Sequence, residues 1–234
     1  MSPRHDVVFL FDVDNTLLDN DRVTADLRRH LTGAFGEGPA AWYWETFEEL
    51  RSELGYADYL GALQRFRVEH PRDPNLLAVS TWLVNYPFAN RLYPGSLDAI
   101  ERCKRHGPVA ILSDGDVVFQ PRKVERSGLW DAVDGNVLIY IHKEEMLDDV
   151  EARFPARRYV MVDDKLRILD AMRRVWRDRL VTVFPRQGHY ALDPGLCARF
   201  APADVTVERV GELAEYDLPR LIGDAAAGVH RAGG

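Results

Sequence analysis

The feature that most constrains this chain is a set of short, unbroken apolar runs that stop abruptly at polar residues. Val7-Val8-Phe9-Leu10-Phe11 stops at Asp12. The run from Pro108 to Leu112 stops at Ser113-Asp114-Gly115, and the run from Arg158 to Val162 stops at Asp163-Asp164. Further runs cover Asn136 to Tyr140 and Leu180 to Phe184, with a shorter one from Asp204 to Glu208. They are too short for helices, rich in β-branched and aromatic residues, and free of polar alternation. Such runs predict strands buried on both faces, as in a parallel sheet.

Helical patterns separate these runs. Leu97, Ile100 and Cys103 share a helical face, with Ser96 as its expected N-cap and Gly107-Pro108 as its expected stop. Met146, Leu147, Val150 and Phe154 form a second stripe, and Leu166, Leu169, Met172 and Val175-Trp176 a third. Strands alternating with single helices predict an α/β fold, a doubly wound, Rossmann-like parallel sheet. One stretch breaks the alternation. Between Asp19 and Leu92 only helical faces appear, such as Leu27-Leu31, Trp42-Phe47-Leu50-Leu54 and Leu76-Val79-Leu83. The expected division is therefore a sheet domain of residues 1–18 and 93–221 with a helical insertion of residues 19–92 after the first strand. Residues 222–234 are small and polar and read as a frayed tail.

In a doubly wound sheet the C-terminal strand ends converge on one crevice. The fold thus predicts a cluster of Asp12, Asp14, Thr16, Ser113, Lys143, Asp163 and Asp164. Several carboxylates at close quarters cannot all stay ionised without compensation. Acidic oxygen donors without Cys or His suit a hard cation, and Mg²⁺ fits best because it keeps few carboxylates and takes substrate phosphate oxygens. Lys143 supplies a further fixed positive charge.

The order Asp12-x-Asp14-x-Thr16, then Ser113, then Lys143, then Asp163-Asp164, each after a hydrophobic strand, resembles the haloacid dehalogenase-like (HAD) hydrolase superfamily. It is similar in particular to the phosphatases with a helical (C1-type) cap between the first two motifs, and Leu92-Tyr93-Pro94-Gly95 also looks like that subgroup. The resemblance covers most of residues 7–186. It implies a Mg²⁺-dependent phosphomonoesterase acting on a small phosphorylated metabolite. Asp12 would be the nucleophile that forms an aspartyl-phosphate, and Asp14 the general acid and base. Thr16, Ser113 and the backbone amides of Asp114 and Gly115 would hold phosphate oxygens, with Lys143 orienting Asp12. Asp12, the main-chain carbonyl of Asp14, and Asp164 would ligate Mg²⁺, with Asp163 in the inner or outer shell. A second acid four residues after Asp164, found in some relatives, is replaced by Ile168.

Three other readings compete. A dehalogenase of this fold has no use for Asp14, because halide leaves without a proton. A phosphomutase keeps Asp14 but delays water attack. A phospho-accepting signalling module gathers similar residues, but its acidic pair comes first in the chain, whereas here it comes last.

Bulk properties bound the remaining choices. The formal net charge is −7, from 30 Lys+Arg against 37 Asp+Glu. That disfavours binding to nucleic acid or to an anionic membrane surface. No apolar run approaches the ~20 residues of a transmembrane helix. The N-terminus does not read as a secretory signal, and Cys103 and Cys197 lack ligand spacing, so a cytoplasmic location is expected. Homo-oligomerisation is left open by the sequence.

Two further segments stand out. Residues 35–93 hold 12 of the 24 Phe, Trp and Tyr residues, which suggests either an aromatic core for the insertion or an apolar pocket. Arg65, Arg67, His70 and Arg72 form a basic run, read as a solvated face or as a recruiter of anionic substrate. Gln187-Gly188-His189-Tyr190 follows the fifth strand and could reach the crevice, with His189 read as structural rather than catalytic.

Overall fold

The structure is a computed structural model that describes residues 5–224. Six strands form one parallel sheet: β1 (His5–Phe11), β2 (Val109–Asp114), β3 (Val137–Tyr140), β4 (Ala156–Val162), β5 (Leu180–Pro185) and β6 (Val205–Val207). Their order is β3-β2-β1-β4-β5-β6. Every pairing is parallel. The order reverses between β1 and β4, and there the C-terminal ends of the strands open a crevice.

Between β1 and β2 the chain builds a cap of four helices: α1 (Asn20–Phe35), α2 (Glu37–Leu54), α3 (Tyr59–Glu69) and α4 (Leu76–Asn85). A 3-10 turn over Phe88–Arg91 leads back. The two linkers run side by side, joined by the bridge of Leu18 to Leu92 and the bond from Tyr93 N–H to the Leu17 carbonyl. The sheet domain continues with α5 (Ser96–Lys104), α6 (Phe119–Arg126) and the single turn α7 (Leu129–Ala132). Then come α8 (Leu147–Arg153), α9 (Leu166–Trp176), α10 (Gly188–Ala191), α11 (Pro194–Cys197) and α12 (Leu218–Asp224).

Two hydrophobic clusters cover the two sheet faces. One gathers Val8, Leu10, Ala110, Leu112, Tyr159 and Met161 under α8 and α9. The other starts from Phe9, Phe11 and Ile111 and runs without interruption into the cap, through Tyr43, Phe66 and Phe88. The cap aromatics therefore do make a core, but one shared with the sheet domain. Phe119 of α6 joins it, with ring centroids 5.2 Å from Tyr59 and 5.8 Å from Phe88. Cys103 is buried in the same cluster, as its place on the helical stripe suggested.

Several local expectations are corrected. Ser96 is the first residue of α5 rather than its cap; left-handed Gly95 holds the cap position. The Ser96 hydroxyl instead donates to the Leu17 carbonyl at 2.8 Å, tying α5 to the linker that leads into the cap. Leu97 points outward, and the buried face of α5 is Ser96, Ala99, Ile100 and Cys103. Gly107 is not left-handed. Its need is close approach, since a Cβ there would lie 2.3 Å from the Val7 carbonyl oxygen. Met146 and Val175 are exposed, because the helices they border turn neighbouring positions to the core. Residues 222–224 continue α12, and the rest of the expected tail, 225–234, lies outside the described residues.

Candidate active site

Asp12 sits one residue beyond β1, and Asp163 and Asp164 follow β4 directly. Because β1 and β4 are paired neighbours in register, the three carboxylates meet. One oxygen from each lies within 4.8 Å of the others, and all three residues are buried. Lys143 enters from the end of β3 and is fully buried. Its ammonium donates to Asp12 Oδ1 at 2.5 Å and lies 2.7 Å from Asp163 Oδ2. The Lys143 N–H in turn donates to Asp114 at 2.8 Å, which fixes the turn that delivers the side chain.

Hydroxyls complete the surroundings of Asp12. Ser113 donates to Asp12 Oδ1 at 3.3 Å and Thr16 to Oδ2 at 3.5 Å. Thr16 also accepts from the Asp164 N–H at 3.0 Å, so one hydroxyl couples the first and last motifs. Gln120 of α6 donates to Ser113 at 3.0 Å, and a Cβ on Gly115 would collide with that glutamine. Gly188, at φ +71°, lies so close to Asn15 that any Cβ would sit 2.4 Å from the asparagine side chain.

The charges do not balance evenly. Burial alone would raise the Asp12 carboxyl, but Lys143 and Lys165 overcome it and hold the group below the ordinary carboxylate range. Burial wins at Asp163, pushed up to about 6 against the pull of Lys143. It wins more strongly at Asp164, which stands well above the usual range despite Lys165. Both Asp164 oxygens are buried with no hydrogen-bond partner among the described residues. An orphaned carboxylate beside two others is what a cation site looks like without its ion. The three acids fit a hard divalent cation with oxygen ligands.

Asp14 stands apart from that group. Its two carboxylate oxygens accept from the Lys123 ammonium at 2.7 and 2.9 Å, and Lys123 also donates to Asn20 at 3.0 Å. Lys123 is almost fully buried, on α6. Sequence reasoning missed it, because nothing in the pattern of Phe119–Arg126 marks its lysine as buried. Lys165 was missed too, although its place directly after Asp163-Asp164 was a signal. Gln120 had none.

Above these residues a cavity of about 670 Å³ separates cap and sheet domain. Asp14, Asp114, Gly115, Gln120, Asp164 and Lys165 line its floor. Trp44, Phe47 and Tyr59 of the cap line its other side, so the aromatic segment supplies both a core and a pocket wall. His189 reaches the cavity mouth and bonds Asp21 at 2.6 Å, tying α10 to the first turn of α1. The basic run is elsewhere. Arg65 pairs with Glu53 at 2.8 Å, and Arg65, Arg67, His70 and Arg72 do not line the cavity.

The family model of the haloacid dehalogenase-like hydrolases matches residues 7–175, a span that contains every one of these strand-end residues. The chain belongs to the haloacid dehalogenase-like hydrolases. A crystal structure of a haloacid dehalogenase-like hydrolase from Burkholderia xenovorans is 66% identical, with a TM-score of 0.86, covering 91% of this chain and 99% of that one. More distant structures share the fold. The magnesium-bound HAD-hydrolase YfnB of Bacillus subtilis is 16% identical, with a TM-score of 0.56, over 91% of this chain and 98% of that one. L-2-haloacid dehalogenase from Xanthobacter autotrophicus is 19% identical, with a TM-score of 0.58, over 89% and 96%. No curated protein matches the chain. This HAD hydrolase therefore carries an α/β core with a helical cap after the first strand and an acidic cluster resembling the catalytic motif. Among its described residues no helix is long and apolar enough to cross a membrane.

Proposed function

We propose that the chain is a Mg²⁺-dependent phosphomonoester hydrolase acting on a small phosphorylated metabolite through an aspartyl-phosphate on Asp12. The observation that carries this reading is the pairing of a buried, ionised Asp12 with a second acid, Asp14, two residues on and held separately by Lys123. A phosphate ester needs both: a nucleophile, and a group that gives a proton to the leaving oxygen and later takes one from water. Halide departure needs no proton, so the dehalogenase reading leaves Asp14 without work.

Each residue then has a task. Lys143 keeps Asp12 ionised and aims it, and balances charge on the transferring group. Ser113 and the amides of Asp114 and Gly115 hold phosphate oxygens, with Thr16 fixing Asp12 against the Asp163-Asp164 turn. Asp12, Asp163 and Asp164 would hold Mg²⁺, together with the main-chain carbonyl of Asp14. When bound, the ion would neutralise the acids and charge on the phosphoryl oxygens. The orphaned Asp164 carboxylate and the magnesium bound by the Bacillus subtilis relative both support that choice. The cap would select the ester.

Purified protein is expected to hydrolyse a generic aryl phosphate with Mg²⁺ and to lose that activity in excess EDTA. Asp12→Asn is expected to abolish turnover while circular dichroism stays native. Undiminished hydrolysis in EDTA would remove the metal from the mechanism. A phosphomutase would instead show dependence on a sugar bisphosphate in a coupled isomerase assay.

A further inference from the structure

The cavity is far larger than a phosphoryl group requires, and its cap side carries charge that the phosphate site does not use. Two guanidinium groups reach it from the cap. The Arg28 guanidinium of α1 lies over the Trp44 ring, 4.1 Å from its centroid, and no carboxylate among the described residues pairs with it. Arg51, in the last turn of α2, donates to the Tyr190 hydroxyl on the facing α10. Its nearest acid, Glu48, is 3.6 Å away and mostly in solvent. Arg199 adds a third guanidinium on the core side of the same cavity, with no carboxylate partner among the described residues.

Guanidinium groups with no buried carboxylate partner, beside a cavity and stacked on or bonded to aromatic side chains, are pre-organised for an oxyanion. The planar fork of Arg matches carboxylate and phosphoryl oxygens, and stacking fixes its plane at little entropic cost. Of the acids on the cavity wall, Asp14 is taken by Lys123 and Asp21 by His189, and Glu48 meets Arg51 only at 3.6 Å with more than half of its side chain in solvent.

Resting on the phosphatase reading, we infer that the substrate carries a second anionic group, which Arg51 and Arg28 bind across the cavity from Asp12. The second anion is a carboxylate or a second phosphoryl group on a small scaffold that lies against Trp44. It lodges beside the Arg51–Tyr190 contact, so the contact between the cap and α10 is part of the recognition.

The test uses steady-state kinetics of the full chain with Mg²⁺ on matched esters: phenyl phosphate, carboxyphenyl phosphate, a phosphorylated hydroxy acid and an alkanediol bisphosphate. At least one doubly anionic ester is expected to exceed its singly anionic counterpart by about tenfold or more in kcat/KM. A preference for the carboxylate arm or the bisphosphate arm names the second anion. Arg51→Gln and, separately, Arg28→Gln are expected to shrink that ratio by about tenfold, mainly through KM. If one variant fails to fold, the other reads the same ratio. Hydrolysis of all esters with no preference for a second anion would overturn the inference and leave the phosphatase reading standing. A preference unaffected in both variants would also overturn it. Absence of hydrolysis of any ester would remove the phosphatase reading and the inference with it.

Discussion

At the scale of single residues, the site is an arrangement of unequal carboxylates. Asp12 is buried yet ionised because two lysines face it, whereas Asp164 is buried with nothing to donate to it. Buried ion pairs of this kind contribute little net stability, because desolvation offsets most of the attraction. Their presence argues for chemistry. Lys123 belongs to the same account. It anchors Asp14 without touching Asp12, so it acts as a positioning residue. Lys123→Met is expected to lower kcat by about a hundredfold, within the usual contribution of a general acid–base group, with a smaller change in KM and partial recovery in Lys123→Arg. An unchanged kcat would leave Lys123 a purely structural lysine. Residues at strand ends were legible in the sequence, since a buried run that stops at an acid states both the strand and its terminus. Lys123 was not, because a lysine in a short amphipathic helix looks the same whether it meets water or a carboxylate.

At the scale of elements, the strands were readable within a residue or two and the helix ends were not. Strand runs are fixed by burial on both faces, a property of composition alone. The ends of α5 depended on tertiary contacts, the Ser96 hydroxyl on the Leu17 carbonyl and Gly107 against Val7, which no local signal announces. The cap rests on its aromatic core. Phe66 is fully buried, stacked on Phe35 at 4.2 Å. Phe66→Ala is expected to destabilise the protein by about 3–5 kcal/mol, measurable as a lower midpoint in urea unfolding. The cap also holds a pH-sensitive contact. His30 of α1 stacks on Trp82 at 4.4 Å, with a buried Nε2 that has no hydrogen-bond partner among the described residues. Burial holds its pKa below the ordinary 6.5. The unfolded chain therefore takes up a proton first as pH falls. This contribution leaves stability level at neutral pH and subtracts from it as pH drops through the unfolded value. His30→Phe is expected to flatten the loss of thermal stability between about pH 7 and 5. An identical pH profile in the variant would exclude His30 as its source.

At the scale of the whole molecule, cap and sheet domain divide the work. The sheet order places Asp12, Ser113, Lys143 and the Asp163-Asp164 pair at one switch point, and the cap closes a cavity above them. The net charge of −7 is no obstacle to an anionic substrate, because part of the acid is the site itself and the cavity wall carries arginines. The fold and the strand-end part of the candidate site were legible in the sequence because both follow from strand ends. The cavity chemistry was legible only at the Gln187–Tyr190 segment, since nothing in the patterns of α1 and α2 says that Arg28 and Arg51 face the sheet domain. The basic run that looked suited to anions, Arg65 to Arg72, lies away from it. The central claim is a covalent phosphoryl group on Asp12. Acid-quenching the enzyme during turnover of an aryl phosphate, followed by peptide mass spectrometry, should show a hydroxylamine-labile phosphoryl group on the peptide containing Asp12. Full turnover with no modified Asp12 peptide, or turnover sustained in Asp12→Asn, would contradict the account.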